Sequence, residues 1–368
     1  MQHALADGGE WRRGVSVHPG DEQQAKAIAR AGFDFVRLTI DPFAPMARPS
    51  GFSEDAWLGQ VEAALHPYRR AGLRVIVDLH PIPKSGGRRL GNEEYASAAI
   101  FTEYSGLAAR IAARLDTLKD SGLAFEPFNE PEVDCAALDK GSALQWPAMA
   151  LLLHSAIRLK APRLTLVLEG ACWADARSLA SLDPSTFADP NLIWSFHDYA
   201  PMVFSHQGAS WVAGPSYFAH GLAFPPHAGS EPAAMAQSLA AAAATTLQGA
   251  AKAGMLGALE RAVADYFKPE SLRAQMNAPV ETVARWAKAH GVPPSRVLVG
   301  EFGALQGSGA GEPSVTSRMA YLSAKRELFE AQGWGWSLWE WRGSFGISSH
   351  GAALPVFTVA LGLRPKKP

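Results

Sequence analysis

The stretch Ser121-Gly122-Leu123-Ala124-Phe125-Glu126-Pro127-Phe128-Asn129-Glu130-Pro131 joins a helix end to a short apolar strand, then stops that strand in an amide, a carboxylate and a proline. Glycine just past a helix takes the left-handed turn that other residues resist, so Ser121-Gly122 reads as a helix-to-strand joint. Pro131 offers no backbone N–H to a sheet ladder, which puts Asn129 and Glu130 where the strand Leu123–Phe128 leaves its sheet. A carboxylate at such an exit is placed for chemistry, or it merely caps the helix that follows.

The same joint recurs in both directions along the chain. Ala31-Gly32 precedes Phe33–Leu38, Ala71-Gly72 precedes Leu73–Leu79, His290-Gly291 with two prolines precedes Arg296–Gly300, and Gln332-Gly333 precedes Trp334–Trp339. Proline signals open Leu164–Leu168 and Leu192–Phe196, and Gly14–Val17 completes eight strands. Segments of helical character lie between them: Glu22–Ala31, Glu54–Arg70 behind Ser53, Glu93–Leu118 behind Asn92, Trp146–Lys160, Val280–Ala289 and Ser314–Ala331. Strands alternating with helices, and apolar on both faces, predict an α/β fold whose parallel sheet closes as a (β/α)8 TIM barrel. An open doubly wound sheet is the structural alternative. No strand is followed by G-x-G-x-x-G, and Gly307-Ser308-Gly309-Ala310-Gly311 lacks that spacing and reads as a loop, not a phosphate cradle. One connection is far too long: an insertion over about 200–276, after strand six, carries an aromatic loop and then a helical pair, Ala233–Lys252 and Leu256–Phe267. It is expected on the active-site rim as a lid or wall, with a purely structural helical insertion as the alternative for its second half.

With 368 residues and 48% hydrophobic content, the chain can bury the core of one such barrel. Its 34 basic and 35 acidic residues nearly cancel, which gives no global field for nucleic acid or an anionic membrane and suits a neutral substrate. No run approaches the eighteen apolar residues of a membrane span, so no membrane role is expected. The N-terminus lacks the basic head and apolar middle of a signal peptide, which makes the chain either cytosolic or already processed. Cys135 and Cys172 fall in consecutive loops on one rim of the barrel, where a disulfide is open to them and two unpaired thiols are the alternative. No spacing resembles a zinc site.

A second carboxylate has the setting of the first: Val297-Leu298-Val299-Gly300-Glu301-Phe302-Gly303 delivers Glu301 to a glycine-flanked exit. Two carboxyls at strand ends are what glycoside hydrolysis needs, one to protonate the leaving oxygen and one to attack or to activate water. In a barrel the C-terminal strand ends converge on one face. Here they are His18, Arg37 with Asp41 beyond, His80, Asn129-Glu130, Glu169 with Trp173 beyond, His197 and Tyr199, Glu301, and Trp339. That set is polar and aromatic where unselected strand ends would be small or apolar.

Val36-Arg37-Leu38, Asp78-Leu79-His80, Asn129-Glu130-Pro131, His197-Asp198-Tyr199, Gly300-Glu301-Phe302-Gly303 and Trp336-Ser337-Leu338-Trp339 together resemble glycoside hydrolase family 5, the cellulase family of clan A. The likeness runs in order from about Gly14 to Gly346, and Phe204–Trp211 and Gly343–Ile347 look like stretches of bacterial members. Val15-Ser16-Val17-His18-Pro19 departs from the Gly-Ile-Asn-type opening, which leaves the role of His18 open. The resemblance implies one catalytic domain over 1–368 and a retaining mechanism, with Glu130 as acid/base and Glu301 as nucleophile. The chemistry agrees: Arg37, the Tyr199 hydroxyl and His197 are suited to stabilise an ionised Glu301, whose charge would raise the pKa of Glu130. Asn129 would bind the sugar 2-hydroxyl, His80 would donate to sugar or to a catalytic neighbour, and Trp339 fits as a sugar platform. Trp173, Trp211 and Trp341 divide between sugar subsites and loop packing. His66 and His154 lie in helical patterns as surface or core residues. Strand alternation points Asp198 away from His197 and Tyr199, and Glu169 is a rival carboxylate that no partner pattern supports.

The expected function is a retaining endo-β-glycanase acting on β-1,4-linked glucan, as a monomer, with a β-glucan polysaccharide or oligosaccharide as partner and no cofactor or metal. Within the same resemblance stand β-1,3-glucan, mixed-linkage and mannan substrates, exo action and transglycosylation. A carbohydrate-binding barrel without turnover is the reading from another class. The resemblance places the protein outside the cytoplasm, secreted or periplasmic after signal removal.

Overall fold

The computed structural model describes residues 11–81, 97–227, 229–306 and 313–365. The glycine-rich segment 307–311 and the first residues of the helix expected at 93–118 lie outside them. Eight parallel strands close into a barrel: β1 (Arg13–Val17), β2 (Phe35–Ile40), β3 (Arg74–Leu79), β4 (Leu123–Glu126), β5 (Thr165–Glu169), β6 (Leu192–His197), β7 (Val297–Phe302) and β8 (Gly335–Leu338). Each pairs with the next in chain order, and β8 returns to β1, as a TIM barrel requires.

Period-2 alternation sorts every strand into an inside and an outside. Outward residues such as Val36, Leu38, Val77, Phe125, Leu168, Trp194 and Phe196 join one large core with the surrounding helices. Inward residues at the N-terminal ends form a separate apolar plug of Phe35, Ile76, Ala124, Val167, Ile193 and Leu298, closed below by Trp11. Two residues further along the same strands the inside turns polar, with Arg37, Asp78, Glu126, Glu169 and Ser195 all buried. The apolar plug thus forms the floor on which a charged layer rests.

The helices start and stop as their caps dictate. Asp21 accepts the Gln24 N–H at the start of Glu22–Ala31, Ser53 accepts the Ala56 N–H at Glu54–Arg70, and Ser314 caps Val315–Ala331. Gly32 closes the first of these with φ 101°, and a Cβ there would sit 2.6 Å from the Arg364 carbonyl oxygen. Several expected boundaries move: the pair expected at Ala233–Lys252 and Leu256–Phe267 runs Glu231–Ala243 and Gly249–Phe267, and the helix predicted to start at Val280 runs Pro269–Ala289, with Pro279 inside it. Proline removes one helical hydrogen bond, but Met276, Val280, Val283 and Trp286 bury a continuous face on both sides of it, and that packing carries the helix through. That helix begins two residues after Gly249–Phe267, inside the stretch expected as the insertion. The insertion's helical pair, Glu231–Ala243 and Gly249–Phe267, braces the barrel from outside: Tyr266 stacks on Phe204 at 6.1 Å, and Phe204 packs on Tyr321 at 5.1 Å.

Two covalent or ionic ties hold the rim. Cys135 and Cys172 form a disulfide that links the segments after β4 and β5. Asp198, just beyond β6, points outward and meets Lys325 Nζ at 2.7 Å, with both side chains fully buried. Burial pushes the Asp198 carboxyl up and the Lys325 ammonium down, and each partner's charge opposes the other's shift.

Lys325→Met strands the Asp198 charge and should lower stability by about 3 kcal/mol in denaturant unfolding, with a smaller loss when Asp198→Asn is added. The Cys135→Ser, Cys172→Ser double variant opens a loop of 37 residues and should cost about 2–4 kcal/mol, and thiol titration of the unfolded, unreduced wild type should find none.

Candidate active site

Arg37 rises from β2 into the barrel with no solvent exposure. Its Nε donates to Glu126 Oε2 at 2.6 Å, Nη1 to Glu301 Oε1 at 2.6 Å and Nη2 to Asn129 Oδ1 at 2.7 Å. Asp78 Oδ2 lies 3.1 Å from Nη1, and Glu169 Oε1 lies 3.9 Å from Nη2. Burial opposes the guanidinium charge, but these carboxylates win and raise its pKa well above the ordinary value. Glu126 has the reverse problem. Burial pushes its carboxyl up to about 8, Arg37 opposes that, and the charge of a hydrogen-bonded Glu169 adds to it.

The two expected catalytic glutamates stand above this layer. The extra residue in β7, where His197 pairs with Glu301 after Phe196 has paired with Val299, turns Glu301 inward beside His197, which already lies on the inward phase two residues after Ser195. Gly300 makes that approach possible, since a Cβ there would lie 2.5 Å from Ser195 Oγ and 2.9 Å from His197 Nε2. Tyr199 donates its hydroxyl to Glu301 Oε2 at 2.8 Å. Strand β4 ends two residues before the expected Phe128, and Glu130 follows with φ 48°. Its backbone N–H donates to Glu169 Oε2 at 2.8 Å, and its Oε1 lies 2.6 Å from His197 Nδ1. His197 Nε2 lies 2.7 Å from Glu169 Oε1 but out of line for a hydrogen bond, which makes that contact chiefly one of charge. One oxygen of Glu130, one of Glu301 and one His197 nitrogen all lie within 4.8 Å of one another.

Proton affinities in this cluster follow the contacts. Burial would lower the His197 pKa, but Glu169, Glu301 and Glu130 raise it well above the ordinary value and hold the ring as imidazolium. Burial would raise Glu130, but the hydrogen bond and charge of His197, with His80 and Arg37, bring it below the usual carboxylate range. Burial raises Glu301 against the opposing charges of His197 and Arg37. This corrects the sequence-based expectation that Glu301 would hold Glu130 protonated. The 2.6 Å contact with His197 outweighs the carboxylate further away.

The remaining expected residues divide. His80 Nδ1 meets Asp78 Oδ2 at 2.7 Å, its Nε2 lies 3.3 Å from Asn129 Nδ2, and its ring stacks on half-buried Trp339 at 5.2 Å. Trp211 is 59% exposed and packs on Phe345, which in turn packs on Tyr199 at 5.8 Å. Trp173 is 47% exposed beside the disulfide. Trp341 is buried against Phe33 at 6.3 Å, so of its two readings the packing one holds. Asp41 accepts the Phe43 N–H, His66 is exposed on its helix, and His154 is buried against Asp189. His18 bonds Thr39 Oγ1 at 2.7 Å and lies 3.8 Å from Glu340, a residue the sequence reading missed, which burial pushes up to about 7. Asp78 and Glu126 were also missed. The signal for them was present, because each falls on the inward phase of its strand, two residues after Ile76 and Ala124.

Among the described residues, Glu126, Glu169 and His197 form one cluster with spacing close enough for a metal, and Glu130, His197 and Glu301 form another. In both, the His197 nitrogens face carboxylates as an imidazolium and the Arg37 guanidinium already supplies positive charge, so neither is read as a metal site.

The family model of cellulases, glycosyl hydrolase family 5, matches residues 7–344. The chain belongs to that family. Endoglucanase 3 of Fibrobacter succinogenes is 25% identical over 357 residues, which is 94% of this chain and 49% of that protein. Cellodextrinase A of Ruminococcus flavefaciens is 27% identical over 200 residues, covering 52% of this chain and 54% of that protein. The chain therefore spans about half the length of the curated relatives it matches. Among solved structures, the cellobiose complex of Thermotoga maritima Cel5A superposes with a TM-score of 0.67 at 20% identity, covering 98% of this chain and all of that one. The family gives the site its class, glycoside hydrolysis. The layout of Arg37, Glu130, His197 and Glu301 is this chain's own observation.

Gly300→Ala would push a methyl group into Ser195 and His197 and tilt the ring off Glu130. A displacement of this size should lower turnover about 10- to 100-fold while the unfolding midpoint moves little, as measured by kcat and thermal melt side by side.

Proposed function

We propose that the protein is a retaining endo-β-glycanase acting on β-1,4-linked glucan, with Glu301 as nucleophile and Glu130 as acid/base. One observation carries the reading: an oxygen of each glutamate lies within 4.8 Å of the other, across His197. Retaining enzymes need carboxyls about 5–5.5 Å apart, whereas inversion needs about 6.5–9.5 Å to admit a water between them. The names of the family relatives, endoglucanase and cellodextrinase, favour β-1,4-linked glucan over the other polymers.

Glu301 attacks the anomeric carbon as the glycosidic C–O bond breaks. Arg37 and Tyr199 hold one carboxylate oxygen each, which aims the anion, and the Arg37 charge opposes the rise in proton affinity that burial imposes. The leaving oxygen takes a proton through Glu130, drawn from His197 across their 2.6 Å contact, which leaves His197 neutral and Glu130 a carboxylate. Glu130, now a carboxylate, removes a proton from water, and the water oxygen displaces Glu301 from the sugar. Asn129, fixed by Arg37 and beside His80, is placed for the sugar 2-hydroxyl, where a contact strengthens as the oxocarbenium ion forms. His80 covers one face of the Trp339 indole, and the pyranose stacks on the other. Trp173 and Trp211, exposed on the rim, extend the binding surface along a polymer.

The test is oligosaccharide release from soluble β-1,4-glucan, β-1,3-glucan, mixed-linkage glucan and mannan, with Glu301→Ala run alongside. Release from the β-1,4-glucan should fall by at least about 10³-fold in the variant, and azide should restore turnover with inverted product. Activity unchanged in Glu301→Ala would overturn the nucleophile, release from another polymer alone would overturn the substrate, and no release from any would favour a binding barrel.

A further inference from the structure

Glu169 takes no part in the steps above, yet it touches the acid/base assembly at two points. It ends β5, is 1% exposed, and accepts the Glu130 backbone N–H on Oε2 at 2.8 Å. Its Oε1 lies 2.7 Å from His197 Nε2, while the other nitrogen of that ring lies 2.6 Å from Glu130 Oε1. The backbone contact has a task, because φ 48° at Glu130 is a left-handed conformation that side chains other than glycine resist by about 1–2 kcal/mol. The ring contact has another: a carboxylate beside one imidazole nitrogen stabilises the charged ring and so raises the proton affinity of the nitrogen that faces Glu130. The rest of its surroundings are the Ser195 hydroxyl at 3.5 Å, the Arg37 guanidinium at 3.9 Å and a hydrogen bond with Glu126. The Glu130 N–H, His197, Arg37 and the Ser195 hydroxyl all turn hydrogens or positive charge toward Glu169.

We propose that Glu169 is the positioning residue of the acid/base: one buried carboxylate fixes the Glu130 backbone directly and its side chain through His197. This rests on the reading of Glu130 as acid/base. Glu169 reaches the substrate only through Glu130 and His197. Removing its charge leaves a His197–Glu130 pair that binds its shared proton less tightly. The other groups facing that pair stay in place: Glu301 Oε2 at 3.6 Å from His197 Nδ1, and Arg37, His80 and Tyr199 around the two glutamates. Loss of one charge at contact distance should lower the midpoint for proton loss by about 1–3 pH units.

The test uses the full chain labelled with 15N-histidine, its His197 signals assigned by their loss in His197→Asn. In Glu169→Gln, which keeps the shape and an acceptor for the N–H, the His197 midpoint should fall by about 1–3 pH units. The basic limb of kcat/KM on soluble β-1,4-glucan should move to lower pH with it, with kcat falling and KM changing less than about 2-fold. Glu169→Asp keeps the charge at longer reach and should give a smaller shift in both readouts; it also decides the matter if the glutamine variant does not fold. A His197 midpoint equal to wild type in the variants overturns the proposal, as does a loss of kcat with no movement of the basic limb, the mark of a merely structural role. A wild type without turnover on any glucan overturns the glycanase reading instead, and the His197 titration still decides whether Glu169 governs the pair.

Discussion

The Arg37 guanidinium sits where a barrel of this kind would otherwise continue its apolar filling, and most of the upper interior is arranged around it. Removing a cation from water costs several kcal/mol, and close pairing recovers that only when geometry is good and the remaining donors are satisfied. Arg37 meets the condition with Glu126, Glu301 and Asn129 on three separate nitrogens, and with Asp78 and Glu169 close behind. The fork of a guanidinium is rigid, so its partners are held at fixed angles to one another. Glu301 and Asn129, from β7 and from the exit of β4, are thereby locked into one frame, although 172 positions separate them in sequence.

One cation does not balance the layer. Asp78, Glu126, Glu130, Glu169 and Glu301 face Arg37, His80 and His197, and the excess of carboxyls is settled by protons. Asp78 raises the proton affinity of His80, the glutamates raise that of His197 well above its ordinary value, and burial pushes the Glu126 carboxyl up to about 8. In this view the network gives little net stability. It gives a set of charges that cannot rearrange without leaving one of them unpaired in a dry interior, which is the preorganisation that transition-state stabilisation requires.

How much of this was legible follows from which signals were local. The glycine joints and capping residues set the eight strands and most helices because each is decided within a few residues, as at Gly32 and Ser53. Strand exits collected Arg37, His80, Asn129, Glu130, His197, Tyr199, Glu301 and Trp339, because a barrel gathers exits whatever lies between them. What failed was nonlocal. Reading exits alone passed over Asp78 and Glu126, which sit one inward step below, and it left Glu169 without partners because those partners arrive from β2, β4 and β6. Pro279 was taken as a helix boundary because a proline is a strong local signal, and only the buried face on both sides of it shows otherwise. Trp341 reads like its neighbour Trp339 in sequence, and the turn of chain after β8 sends one to the cleft and the other to the core.

The resting order of proton affinities, Glu130 low and Glu301 high, looks reversed for their proposed roles until the charge consumed by the reaction is counted. Three carboxylates hold the proton on the His197–Glu130 pair, and Glu301 is one of them. In the proposed double displacement, Glu301 gives up its negative charge as it bonds to the anomeric carbon, and the pair's hold on its proton weakens at the moment the leaving oxygen needs one. Once the ester has formed, that charge is absent, so the proton does not readily return and Glu130 persists as the carboxylate that the water step requires. Hydrolysis of the ester restores the charge on Glu301, and with it the affinity that reloads the pair. The same 2.6 Å contact can serve acid and base in turn because the charge beside it is the one the chemistry switches.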